Sequence, residues 1–352
     1  MIDCETRLAG FLGQLRPAPW VALDTEADSL HAYPEKLCLL QFSIPDQDVL
    51  VDPLAALPLA PLFEALKGKT LILHGADYDL RLLWRSFGFV PDSVFDTMLA
   101  ARLLGFRELS YDALVARLVG VRLEKGPQTA NWARRPLTDR MLTYARNDSR
   151  YLKPIHDALA RELERKGRLT WHRETCARLV AESTQPREAD PDQVWRIKGA
   201  HALDRRGLAV LRRLWHWRDD EARRASRPPY FVLSHEALVS LAAAAAHGRE
   251  WASLLPRHLS PRRREGLHPV VIEALALPES EWPTVRRPTA QRFTLAQRRR
   301  CDELRRRRDR AAHALGLDPA IVAPRSLLVQ LAADWDGNQA QVMDWQRQLL
   351  AG

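Results

Sequence analysis

The chain has 352 residues, enough for two or three domains that each bury their own core. Hydrophobic residues at 46% and charged residues at 28% exclude a disordered chain, and no apolar run approaches the roughly 20 residues of a membrane span, so no membrane partner is expected. The net charge of +9 is uneven: residues 1–190 hold 25 basic and 26 acidic side chains, residues 191–352 hold 28 and 18, and that positive second half points to nucleic acid as partner.

The opening MIDCETRLAG places acids where a secretory signal needs basic residues and an apolar core, so a cytoplasmic protein is expected. Cys4, Cys38, Cys176 and Cys301 lie far apart without C-x-x-C spacing, which argues for reduced thiols rather than zinc or disulfides. WVALDTEA (20–27), KLCLLQFS (36–43) and DVLVDPL (48–54) read as three strands, separated by the turn-forming HAYPE and IPDQ. Three strands in succession imply an antiparallel start. An amphipathic helix near 59–67, a strand TLILHG (70–75) and helices out to about 180 follow, giving a mixed sheet flanked by helices.

STQPREADPDQ (183–193) is polar and contains proline, as a linker does, and PESEWPTVRRPTAQ (278–291) reads as a second. Beyond the first linker the chain is helical and repeats weakly at a shift of 90 residues: WRDDEARR (217–224) overlays RRDRAAHA (307–314), and FVLSHEALVSLA (231–242) overlays IVAPRSLLVQLA (321–332). Two related helical bundles are expected, over 195–280 and 286–352, after a first domain over 1–185. The arginine series from 284 to 313 predicts that truncation after about residue 280 weakens nucleic-acid binding and its salt dependence while the function of the first domain survives.

Three elements carry acids. Asp24 and Glu26 are two apart on a strand and so share a face; an exposed strand face would also explain them. After TLIL, Gly75 permits a tight turn, Asp77 reads as a helix cap, and Asp79 is aimed at the sheet end. In LTDRMLTYARNDSRYL (137–152), Thr138 reads as an N-cap, and Tyr144 and Asp148, four apart, lie on one largely apolar face. A lone tyrosine there would be a core residue, but an inward carboxylate needs a partner such as a cation. Converging acids repel: two at about 4 Å cost roughly 4 kcal/mol at an effective dielectric near 20, so the cluster makes sense with cations bound.

The segments LDTEAD, HGADYDL and YARNDSRYL resemble, in order and spacing, the three motifs of the DEDD exonucleases in their tyrosine-bearing branch, the ribonuclease D family most of all. FDTMLAARLLG (95–105) and QTANWARRPLT (128–138) look like the same family, although Asn131 stands before Trp132 where the family usually has Asp. The 90-residue repeat is similar to the paired helicase-and-RNase-D C-terminal (HRDC) domains. The resemblance implies a ribonuclease H-like α/β exonuclease domain followed by two all-α HRDC-like bundles.

It implies a 3′-to-5′ exoribonuclease that releases 5′-mononucleotides from single-stranded RNA 3′ ends, with tRNA precursors as substrates, and a monomer. Asp24, Glu26, Asp79 and Asp148 would hold two divalent cations, Mg²⁺ or Mn²⁺, and Tyr144 would orient the attacking water. Thr25, Leu30, His74, Lys125, Gln128, Trp132 and Arg135 are candidate substrate contacts, with burial the competing fate of Trp132 and packing that of His74. A DNA exonuclease on the same scaffold, or a noncatalytic RNA-binding scaffold, are the alternatives.

Overall fold

The apolar run from Val21 becomes the central strand of a five-stranded sheet. In the computed structural model, which describes residues 1–186, 190–257, 259–285 and 293–351, the strands are β1 (Val21–Ala27), β2 (Leu37–Ile44), β3 (Gln47–Val51), β4 (Thr70–Leu73) and β5 (Ser93–Asp96). Their order is β3-β2-β1-β4-β5. β1 runs antiparallel to β2, which pairs antiparallel with β3, whereas β4 and β5 are parallel to β1. The sheet is therefore mixed, as the strand pattern implies.

β2 is buried at all eight positions, which is why it reads as a continuous apolar run. β3 stops at Val51 rather than continuing to 54. Asp52 accepts a hydrogen bond from the Leu54 N–H at 3.0 Å and caps a 3₁₀ turn over Pro53–Ala55, where proline has no N–H for a ladder. Two elements escape the sequence reading. β5 is only four residues long, too short for periodicity to register, and the helix Glu5–Leu15 contains Gly10 and Gly13, which weaken its propensity signal.

The described residues form two compact units, one from 1–27, 37–185 and 293–351, the other from 28–36, 186, 190–257 and 259–285. Within the second, the helices Arg205–Arg224, Pro229–Val232 and His235–Ala246 bury Leu208, Leu211, Leu214, Leu238 and Leu241 around Trp195. Within the first, the helices Leu295–Leu315, Pro319–Val322 and Arg325–Ala333 start 90 residues after those three. The repeat extends to polar detail: Arg218 donates to the Leu233 carbonyl at 3.1 Å, and Arg308 to the Ala323 carbonyl at 3.2 Å. Of the linkers read from sequence, residues 187–189 and 286–291 lie outside the described residues.

The later copy shares its core with the sheet-bearing unit. Leu304, Val322, Leu331, Trp345 and Leu350 pack in one cluster with Phe95, Leu103, Leu114, Leu159 and Leu163. Trp171 stacks on Trp345 with centroids 4.9 Å apart, and the Arg168 guanidinium donates to the Leu103 and Leu315 carbonyls at 2.7 and 2.8 Å. At Gly105, where φ is +82°, a Cβ would overlap the Gly316 carbonyl, so only glycine allows this approach. No helix among the described residues is long and apolar enough to cross a membrane.

This shared core revises the truncation expectation, because removing the chain beyond about 280 strips apolar cover from the sheet-bearing unit. Trp345→Ala, a side chain only 3% exposed, is expected to cost about 3–5 kcal/mol and to lower the temperature at which nuclease activity is lost. Thermal inactivation matching the wild type would show that the two parts are energetically independent.

Candidate active site

Alternation along β1 sends Leu23 and Thr25 one way and Asp24 and Glu26 the other. Asp24 pairs in register with Gln41 of β2, and the ladder shifts between Glu26 and Ala27, a bulge of the kind that re-aims side chains beside active sites. Gln41 is fully buried beside Glu26, where its amide favours the carboxylate, and neither its oxygen nor its nitrogen has a hydrogen-bond partner among the described residues. The sequence reading gave Gln41 no role; the signal was a lone amide inside an otherwise apolar strand.

β4 ends at Leu73, and Gly75, with φ at +65°, turns the chain into the helix Asp77–Phe87. Asp77 is not the cap. It lies inside the first turn, pairs with Arg81 and accepts from the Ser183 hydroxyl at 3.1 Å. The turn is instead fixed by the buried Asp96 at the end of β5. Its carboxylate accepts from the N–H groups of Gly75 and Ala76 at 3.1 and 2.8 Å, and from Met98 and Leu99 at the start of the next helix. Asp79 is thereby carried to β1, where the Thr25 hydroxyl donates to its Oδ1.

Thr138 caps the helix Asp139–Arg150 by accepting from the Met141 N–H at 3.3 Å, and that helix brings Tyr144 and Asp148 to the sheet. The outcome is a convergence: ligand oxygens of Asp24, Glu26 and Asp148 lie within 4.8 Å of one another. Asp79 stands outside that trio, yet its charge is the largest of those acting on Asp24. The Tyr144 hydroxyl faces Asp148 and Gln128, and its nearness to Asp148 favours that carboxylate's charge. Asp24, Gln128, Tyr144 and Asp148 open on a cleft of about 600 Å³ lined also by His74, Tyr111, Lys125 and Gly126.

Electrostatics follow from geometry. Burial raises the Asp24 carboxyl well above its ordinary range, with Asp79, Asp148 and Glu26 adding repulsion. Burial and the charges of Asp148 and Asp79 lift Glu26 to about 9, and burial lifts Asp79 and Asp148 to about 7. The Tyr144 phenol is pushed above its ordinary value by burial, then by Asp148 and Glu26.

Residues 1–164 match the family model of 3′-5′ exonucleases, and residues 207–247 that of the HRDC domain. The chain is 32% identical over 359 residues to ribonuclease D of Xanthomonas oryzae pv. oryzae, covering 99% of this chain and 95% of that one. The chain belongs to the ribonuclease D family. Ribonuclease D of Gluconacetobacter diazotrophicus is 36% identical over 249 residues, which are 70% of this chain and 63% of that protein. The crystal structure of Escherichia coli RNase D, described as an exoribonuclease involved in structured RNA processing, covers 100% of this chain and 98% of its own at 27% identity, with a TM-score of 0.76. The chain is a 3′-to-5′ exoribonuclease, of a family that depends on divalent metal.

The candidate contacts of this ribonuclease D relative separate on inspection. His74 lines the cleft, its Nδ1 2.9 Å from the Thr97 hydroxyl. Lys125 and Gln128 are exposed on the cleft. Thr25 is buried against Asp79, and Leu30, 51% exposed, belongs to the 28–36 segment of the second unit. Two expectations fail. Trp132 is fully buried in a cluster with Cys38, Leu39 and Met141, so it offers no face to a base. Arg135 is committed to Asp52, at 2.5 and 2.6 Å, and to the carbonyls of Cys38, Trp132 and Arg134, so it has no fork left for phosphate. Asn131, whose side chain accepts from the Ala133 N–H at 3.1 Å, shapes the same loop.

Gly126 crosses the Tyr144 ring so closely that a Cβ there would fall on the ring carbons. Gly126→Ala is expected to displace Tyr144 and cut kcat by about 10²-fold with little change in Tm; wild-type kcat would show the ring free to yield. The carboxyl shifts predict a second behaviour. Raised folded-state values mean that the native protein holds protons the unfolded chain releases above about pH 4, so metal-free stability falls as pH rises from there toward about 9. Tm in EDTA should therefore drop across this window, and Mg²⁺ should raise it most at the alkaline end. A Tm that ignores Mg²⁺ at every pH would contradict a cation site.

Proposed function

We propose that this enzyme, acting as a cytoplasmic monomer, trims the single-stranded 3′ ends of tRNA precursors to 5′-mononucleotides with two divalent cations, Mg²⁺ or Mn²⁺. The observation that supports the site is the convergence of Asp24, Glu26 and Asp148 to within 4.8 Å, with Asp79 beside Asp24. Four partly or wholly buried carboxyls with raised pKa values fit cations and little else, and their hard oxygens suit Mg²⁺ or Mn²⁺.

In this reading Asp24, Glu26 and Asp148 would hold one cation, and Asp24 and Asp79 the other. Bound there, two such cations would supply positive charge to acidify an attacking water and to offset charge growing on the phosphoryl and leaving 3′ oxygens. The remaining work falls to the protein. Tyr144 keeps its proton, because its phenol is pushed upward, and so serves as an orienting hydroxyl set by Asp148 and Gln128 rather than as a base. Thr25 holds Asp79 by its hydroxyl and is a positioning group rather than a nucleotide contact. Lys125, exposed on the cleft, meets the phosphate backbone, and His74 and Gln128 face the terminal nucleotide.

The test is a metal titration on 5′-end-labelled single-stranded RNA and DNA. Asp24→Asn should lower the rate by at least about 10²- to 10³-fold. Stepwise shortening from the 3′ end with 5′-mononucleotide products, preferring RNA, is expected. Oligomeric products, DNA preference or full activity of Asp24→Asn would each reject the corresponding part of the reading.

A further inference from the structure

The helix that carries Tyr144 and Asp148 ends at Arg150, and the next begins at Leu152. In an unbroken helix the Tyr151 N–H would bond to the Asn147 carbonyl four residues back. The hydroxyl of Tyr111 stands between them instead. It donates to the Asn147 carbonyl at 2.7 Å and accepts from the Tyr151 N–H at 3.2 Å. A side chain inserted into the helical ladder is a recognised cause of a kink, and Pro154, which has no N–H for the Arg150 carbonyl, is a second.

Asp148 lies inside the span that this hydroxyl bridges. The sheet side of the same turn is also held: the Ser149 Oγ lies 2.9 Å from the Ser43 hydroxyl, which donates to Asp48 at 2.6 Å, while the other Asp48 oxygen accepts from Arg150 at 2.5 Å. Residues 147, 149, 150 and 151 are thus each tied to a group outside the helix. The Asp148 carboxylate, enclosed by these ties, is left facing the cleft.

We propose that Tyr111 is a positioning residue for the exonuclease reaction, its hydroxyl holding the helix open between Asn147 and Tyr151 and so fixing the direction of the Asp148 carboxylate. This rests on the reading of Asp148 as a cation ligand. Without the hydroxyl oxygen, the Asn147 carbonyl and Tyr151 N–H either close on each other and turn Asp148, or stay unpaired and loosen the turn. Both outcomes degrade the cation site and leave the groups facing RNA in place.

The experiment compares full-length wild type, Tyr111→Phe and Asp148→Asn by calorimetric titration of Mn²⁺, alongside trimming kinetics of an oligoribonucleotide over a range of Mg²⁺. Tyr111→Phe is expected to bind Mn²⁺ about 10- to 100-fold more weakly and to need correspondingly more Mg²⁺, with KM for RNA unchanged at saturating metal. Wild-type Mn²⁺ affinity in Tyr111→Phe overturns the inference, and so does a raised KM with unaltered metal affinity, which would make Tyr111 a nucleotide contact. Asp148→Asn separates the two levels: if it binds Mn²⁺ like wild type the ligand reading itself falls, whereas its loss beside a normal Tyr111→Phe removes only the role of Tyr111. Should Tyr111→Phe fold poorly, Pro154→Ala, which returns an N–H to the break, is expected to weaken Mn²⁺ binding without lowering Tm; unchanged binding there also overturns the inference.

Discussion

The repulsion among Asp24, Glu26, Asp79 and Asp148 is the constraint around which the sheet-bearing unit is built. Burial disfavours the charge of every one of these carboxyls, and at Asp24 and Glu26 the neighbouring carboxylates disfavour it further. No apolar packing gain accrues from that arrangement, so the rest of the fold must hold it against its own tendency to spread. Local rule-breaking of this kind marks a functional site in a chain whose other choices agree with one another.

The means of holding are hydrogen bonds to rigid elements. Asp96 gathers four backbone N–H groups at the junction of β4, β5 and two helices, which fixes the turn that delivers Asp79. Thr25 then meets Asp79 from the central strand. The loop before the third motif closes the other side, where Arg135 links Asp52 to three backbone carbonyls and Gly126 lets the chain lie across Tyr144. Hydrogen-bonded networks of this type fix the directions of the groups they enclose.

The acids were legible because strand and helix periods place Asp24 with Glu26, and Tyr144 with Asp148, on single faces regardless of tertiary context. What periodicity lacks is the choice among partners. An arginine on a loop before a catalytic motif looks alike whether it meets phosphate or Asp52, and only the approach of β2 and the turn after β3 decides for Asp52. By position Asp77 reads as the cap, and the distant Asp96 makes that cap unnecessary by taking the turn's N–H groups itself. Tyr111 gave no signal at all, since its hydroxyl acts at a helix break 36 residues later in sequence.

The helical repeat shows the same limit from another side. Leu214, Leu238, Leu241 and Ala242 are buried in one copy, and Leu304, Leu328, Leu331 and Ala332, each 90 positions on, in the other. The shared pattern fixes how the helices of each copy fold together, and the matching Arg218 and Arg308 bonds tie each one's long helix to the carbonyl after the short helix. It leaves open what the outer surface of each bundle meets. The earlier copy closes around Trp195, whereas the later one lays Leu304, Trp345 and Leu350 into the cluster that also contains Phe95, one residue from Asp96. A stretch that reads as a separate binding module thus supports the strand end that fixes the Asp79 turn. Its removal would strip packing from that strand end as well as charge from the arginine-rich helix.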